Sequence, residues 1–177
     1  AMSVSSAAVT ASTNTVTINP TANLDSLQGY YILIDATAID DASGNSYAGI
    51  GSSSLLNFTS ADLSAPTLTS SSPADNAIGV AIGSNITLTF NETVVVGSGN
   101  ITLFKSNDAQ VEAIAVGSGQ VTVSGNSVTI NPAANLDSLQ GYYVKVAATA
   151  FDDASGNSYV GINNATTINF TAADVAA

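Results

Sequence analysis

The sequence has no cysteine, no histidine, no tryptophan and no arginine, and its only basic side chains are Lys105 and Lys145. Without cysteine there is no disulfide framework, no thiol nucleophile and no thiolate metal site. Without histidine there is no Ser-His-Asp triad and no imidazole ligand. Without arginine there is no planar, bidentate clamp for phosphate or carboxylate. Thirteen acidic residues against two lysines give a formal net charge of -11. That charge repels phosphate backbones and anionic lipid, so no nucleic-acid partner is expected. The longest apolar runs extend a few residues, against the roughly 20 that a spanning helix needs, so no membrane insertion is expected. No stretch reads as a signal peptide, and Ala1-Met2 reads as an added dipeptide, which places the expected native start upstream. What is present is 45% hydrophobic and only 8% charged residues over 177 positions. That balance suits folded domains with uncharged polar surfaces rather than disorder.

The chain repeats itself. Val16-Thr-Ile-Asn-Pro20 recurs as Val128-Thr-Ile-Asn-Pro132, and Asn23-Leu-Asp-Ser-Leu-Gln-Gly-Tyr-Tyr31 recurs at 135–143. Asp40-Asp-Ala-Ser-Gly-Asn-Ser-Tyr47 recurs at 152–159, and Asn57-Phe-Thr59 at 169–171. The offset is 112 throughout, and positions 9–62 match 121–174 at 37 of 54 places, far beyond chance. Residues 63–177 have the length of one complete β-sandwich module. Residues 1–62 match only its later part and are expected to be the C-terminal half of a truncated module.

The hydrophobic period is two, the mark of strands. Ile86, Leu88 and Phe90 alternate with Thr87 and Thr89; Tyr142, Val144 and Val146 alternate with Tyr143 and Lys145; Ile168 and Phe170 alternate with Thr167 and Asn169. Gly, Ser, Asn and Pro clusters at 72–76, 97–100, 117–119, 124–126 and 154–157 separate these runs. The pattern predicts an all-β fold, an antiparallel β-sandwich with about seven strands per module. They are expected near 66–70, 85–90, 100–105, 110–116, 120–131 (one strand or a hairpin), 141–150 and 165–171. One helical turn is expected at Leu136-Asp-Ser-Leu-Gln140.

The second unit opens with Ala65-Pro-Thr-Leu-Thr-Ser-Ser-Ser-Pro-Ala-Asp-Asn-Ala-Ile-Gly-Val80, continues with Ile86-Thr-Leu-Thr-Phe-Asn-Glu-Thr-Val94 and reaches Asp152-Asp-Ala-Ser-Gly-Asn157. This resembles the bacterial Ig-like modules strung in tandem in surface-layer proteins, adhesins and large secreted repeat proteins. Asn76 stands where such modules usually carry Gly, and Asn91 where they usually carry Ser. The resemblance implies an Ig-like sandwich, a secreted or cell-surface location and a non-catalytic structural role as spacer or building block. A carbohydrate- or ligand-binding module of an adhesin is the alternative. The implied partners are neighbouring repeats of the same protein, by strand exchange or head-to-tail self-association.

Two repeated acidic turns carry the main chemical candidates, Asp40, Asp41 and Asn45 in the first unit and Asp152, Asp153 and Asn157 in the second. Adjacent carboxylates with a nearby amide offer hard oxygen ligands for calcium, although the twelfth position lacks the Glu of an EF-hand. The same residues also make a tight turn, with Asp accepting backbone N–H bonds and Gly-Asn tolerating positive φ. Both readings stand at this point. Asp62, Asp174 and Asp75 are candidates for a calcium between modules or for solvated linker acids, and Asp25 and Asp137 for capping a short turn. Glu92 and Glu112, the only glutamates, show no pairing that suits a glycosidase, so no catalytic residue is expected. One tyrosine of each Tyr-Tyr pair is expected to point inward, with its hydroxyl tying down a loop. The first unit, taken alone, would expose the inner face set by Val16, Ile18, Ile34, Leu56 and Phe58 and leave open strand edges.

Overall fold

A computed structural model describes residues 1–175. The chain divides between Leu63 and Ser64 into two compact units. Fifteen strands and no helix are found among the described residues.

The first unit holds two separate strand pairs. β1 (Val9–Ser12) and β2 (Thr15–Ile18) form an antiparallel hairpin, with Val9 opposite Ile18. β3 (Gly29–Tyr31) pairs antiparallel with β4 (Asn57–Thr59), with Tyr30 opposite Phe58. Between them the chain is held by the isolated bridges Ile34–Ile50 and Asp40–Ser46. Of the inner-face residues expected to be exposed, Val16, Leu56 and Phe58 are exposed, while Ile18 and Ile34 are half-buried.

The second unit is a sandwich of two sheets. Its strands in chain order are β5 (Leu68–Ser72), β6 (Ala77–Val80), β7 (Ile86–Phe90), β8 (Val95–Val96), β9 (Asn100–Lys105) and β10 (Gln110–Ala115). They continue as β11 (Val121–Ser124), β12 (Ser127–Ile130), β13 (Gly141–Val146), β14 (Phe151–Asp152) and β15 (Asn169–Ala172). One sheet has the order β10-β9-β13-β15-β6 and the other β11-β12-β7-β5, with β8 and β14 as a separate pair. Alternation does the sorting: Ile86, Leu88 and Phe90 of β7, Ile101 and Leu103 of β9, and Tyr142, Val144 and Val146 of β13 are all buried. Phe90 meets Phe151 at 5.6 Å and Tyr159 edge-on at 5.1 Å between ring centroids, which ties β14 and the following loop into the core.

The expected runs at 66–70, 85–90, 100–105 and 110–116 appear within about two residues and 120–131 is a hairpin, whereas the run expected over 141–150 stops at Val146 and the one expected over 165–171 starts only at Asn169. Three short strands were not anticipated. β8 and β14 have two residues each, too short for a periodic signal. β6 contains Gly79 at φ 70° and pairs parallel to β15 with an irregular register. The helical turn expected at Leu136–Gln140 is instead a single turn closed by Gln140 N donating to the Asp137 carbonyl at 3.3 Å, with Leu139 at φ 55°. Asn76, standing where the resembling modules usually carry Gly, has φ 60°, a conformation Asn tolerates better than other non-glycine residues. Gly161 is held to glycine more strictly. It sits at φ 80°, and a Cβ there would lie 2.5 Å from the Val146 carbonyl oxygen; Gly49 repeats this at φ 83° and 2.4 Å from Ile34.

Candidate functional site

The acidic turn of the second unit follows directly from β14. Asp153 Oδ1 accepts hydrogen bonds from the backbone N–H of Ser155 and Asn157, both at 2.8 Å, and its Oδ2 accepts from Asn157 Nδ2 at 2.8 Å. Asp152 turns to a different partner: its Oδ1 accepts from Ser158 Oγ at 2.6 Å across the bridge Asp152–Ser158. The first unit repeats the turn. Asp41 accepts from the N–H of Ser43 (2.9 Å) and Asn45 (2.8 Å) and from Asn45 Nδ2 (2.9 Å), while Asp40 accepts from Ser46 Oγ (2.6 Å). Each turn therefore joins its second Asp to its Asn and sends its first Asp to a serine.

Asp153 is buried at 3% exposure, whereas Asp41 is exposed. The side-chain hydrogen bond from Asn157 and the backbone donors hold the Asp153 carboxyl below its ordinary value of 3.8, against the opposing effect of burial. The side-chain bond from Asn45, with its backbone N–H, lowers Asp41 in the same way. Both turns are thus built around an ionised carboxylate.

Glu92 joins this site. It lies just beyond β7, and one of its carboxylate oxygens comes within 4.8 Å of one from Asp153. The cause is the β8–β14 pairing, in which Val95 faces Asp152 and Val96 faces Phe151. A sequence gap of about sixty residues hides this proximity, and the only local signal is a glutamate at the end of a strand. Glu112 does something else: its Oε1 accepts from Gln120 Nε2 at 2.8 Å and its Oε2 from the N–H of Ala133 at 2.9 Å, which fastens β10 to the turns beside the β11–β12 hairpin.

Each of the other candidates has a partner within its own unit. Tyr142 and Tyr30 behave as expected of the inward tyrosine, each hydroxyl accepting from a loop N–H, Asp137 and Asp25 respectively, at 2.8 Å. Asp137 does not cap with its carboxylate, which instead binds Lys105 Nζ at 2.7 Å; that contact raises the lysine, and its exposure keeps the stabilisation small. Asp62 Oδ1 accepts from Ser26 Oγ (2.9 Å), and Asp174 Oδ1 from Ser138 Oγ (3.4 Å). Asp75 Oδ1 accepts from the backbone N–H (3.1 Å) and Nδ2 (2.7 Å) of Asn169 in β15. On the outer face of β9 and β13, Phe104 and Tyr143 stack at 5.0 Å with Lys145 Nζ above both rings, and the Tyr143 hydroxyl donates to Asp108 at 2.9 Å. Burial, then that bond, pushes Tyr143 up. Tyr143 is only 5% exposed, so its ring face is spent on the stack.

The family model for the bacterial Ig-like domain matches residues 1–60 and again 62–172. The chain belongs to the bacterial Ig-like domain family. No curated protein matches it. Among solved structures, the crystal structure of CopC from Methylosinus trichosporium OB3b is similar, with 20% identity and a TM-score of 0.45 over 63% of this chain and 97% of that one. Members of the bacterial Ig-like domain family are structural or binding modules, typically without catalysis. The chemistry within the second unit agrees with that class: its repeated polar residues close loops, and Glu92 with Asp153 offers oxygen donors to a cation.

Proposed function

We propose that this bacterial Ig-like chain is a non-catalytic, tension-bearing module of a secreted or cell-surface array, as a stalk or layer is built. The carrying observation is the parallel pairing of β6 with β15. Phe170 faces Ala77 and Ala172 faces Val80, with flanking bonds from Asn76 N to Asn169 O and from Ala173 N to Val80 O, each 2.7 Å. β6 lies near the start of the unit and β15 at its end. Pulling the unit by its two ends draws parallel neighbours past each other, so their hydrogen bonds resist together rather than opening one at a time. Asp75 reinforces the same seam through Asn169. The uncharged polar composition and the 112-residue repeat support the placement in an extracellular array.

Single-molecule pulling through the two ends of the second unit tests this. The unmodified unit is expected to give one sharp unfolding peak, and Ala173→Pro, which removes the N–H bonded to Val80, is expected to lower that force clearly. Equal forces in the two proteins would sink the mechanical reading.

The implied cofactor is calcium, bound at the Glu92–Asp153 edge. Two carboxylates this close repel, a divalent cation relieves that repulsion, and calcium accepts several oxygens in flexible geometry. Asp153 Oδ2 accepts one hydrogen bond in its turn and retains a lone pair for a cation. Melting in millimolar calcium and in chelator tests it.

A further inference from the structure

The first unit has an apolar face, and the second unit displays what covers such a face. Val16 and Phe58 are 37% and 42% exposed, while their counterparts Val128 and Phe170 are 0% and 2% exposed. Tyr31 and Tyr47 are 59% and 45% exposed, against 5% and 4% for Tyr143 and Tyr159. The backbone edges differ in the same way. β12 pairs with β7 from Ser127–Thr89 to Ile130–Ile86, whereas its counterpart β2 pairs only with β1 among the described residues. β13 pairs with β9 from Tyr142–Lys105 to Val146–Ile101, and β15 pairs with β6, whereas their counterparts β3 and β4 pair only with each other. The partners missing from the first unit all come from residues 64–112. The receiving surfaces are chemically alike: Val16, Ile18, Tyr30, Tyr47, Ile50 and Phe58 are the same residue types as their counterparts.

Residues 1–177 hold one set of residues 64–112 and two surfaces that fit it, so a second copy of residues 1–177 that lent a strand to that face would open its own sandwich. We propose that the face of residues 1–62 is a docking surface for a polypeptide with the character of residues 64–112, the front part of another bacterial Ig-like module. It adds strands like β7, β9 and β6 to the edges of β2, β3 and β4 and closes a second sandwich, with backbone pairing supplying affinity and the alternating side chains supplying register. The inference rests on the fold and not on the mechanical or calcium readings.

The test is the full chain with a second copy of residues 64–112 fused directly ahead of Ala1, where the 112-residue period places it. Hydrogen–deuterium exchange is expected to slow by about tenfold or more across 15–18, 29–34 and 57–59, because those amides join a cooperative sheet. A second fusion, carrying Leu88→Asp in the added copy alone, is expected to exchange there as the original chain does. Three results would overturn the proposal: unchanged exchange across 15–59 in the first fusion, protection that survives Leu88→Asp, or protection lost from 127–146. Concentration-dependent protection of 15–59 in the original chain would also overturn it, by making a second copy the occupant.

Discussion

Residues 9–62 and 121–174 are nearly one polypeptide in two surroundings. The tyrosine hydroxyl reaches its loop N–H at 2.8 Å in both, and the acidic turns close on the same donors. Tyr30 stacks with Phe58 at 5.9 Å, and Tyr142 with Phe170 at 5.8 Å. Bonds within a few residues, and one short strand pair, are thus the property of the segment itself. Burial is not. Residues 64–112 pack over the second copy within its own unit, and there the same side chains become a core. Sequence identity delivers local geometry, whereas the hydrophobic contribution depends on what is packed across the sheet.

The sharpest way to break this contrast is to remove the same ring from each copy. Phe170→Ala is expected to cost the second unit about 3–5 kcal/mol, as deletion of a buried aromatic does, and Phe58→Ala less than about 1 kcal/mol in the first. Native-state hydrogen exchange, read unit by unit, separates the two; equal losses would show that the first face is already covered.

Acid should act next. The Asp153 carboxyl is held below its ordinary value of 3.8, so its stabilisation is complete above that value and fades as the pH falls through the lower folded value. Melting of the second unit is expected to drop below about pH 4. Asp153→Asn is expected to melt lower at neutral pH and to respond less in that acid range. The exposed Asp41 shifts in the same direction and should give a smaller response.

Calcium gives the smallest expected difference. Millimolar calcium should raise the melting temperature of the second unit by a few degrees over chelator, and Glu92→Gln should abolish the rise. The first turn has no counterpart of Glu92 within its unit, so exchange around Asp41 should be indifferent to the ion. A response that persists in Glu92→Gln would place the ion elsewhere.

Most of the fold was legible because it is written locally. Alternation at 86–90 and 141–146, and turn residues at 124–126 and 154–157, set strand positions without knowledge of any partner. The inward tyrosine was legible for the same reason. What escaped was long-range or brief. β6 earns its place through β15, some ninety residues away, and two-residue strands carry no period. The approach of Glu92 to Asp153 depends on the β8–β14 pairing, which nothing in either segment announces. Asp137 was read as a turn residue, yet its carboxylate binds Lys105, a partner set by tertiary structure alone.

Residues 51–56 and 163–168 differ at all six positions, the longest break in the internal match. The bend survives the change. Ser54 N donates to Ser52 Oγ at 3.3 Å in one copy, and Thr166 N donates to Asn164 Oδ1 at 2.9 Å in the other. A connection that forms with either a hydroxyl or an amide leaves its remaining residues free to vary. The two units therefore carry distinct surfaces at this corner while the strands that flank it keep the same pairing, β3 with β4 and β13 with β15.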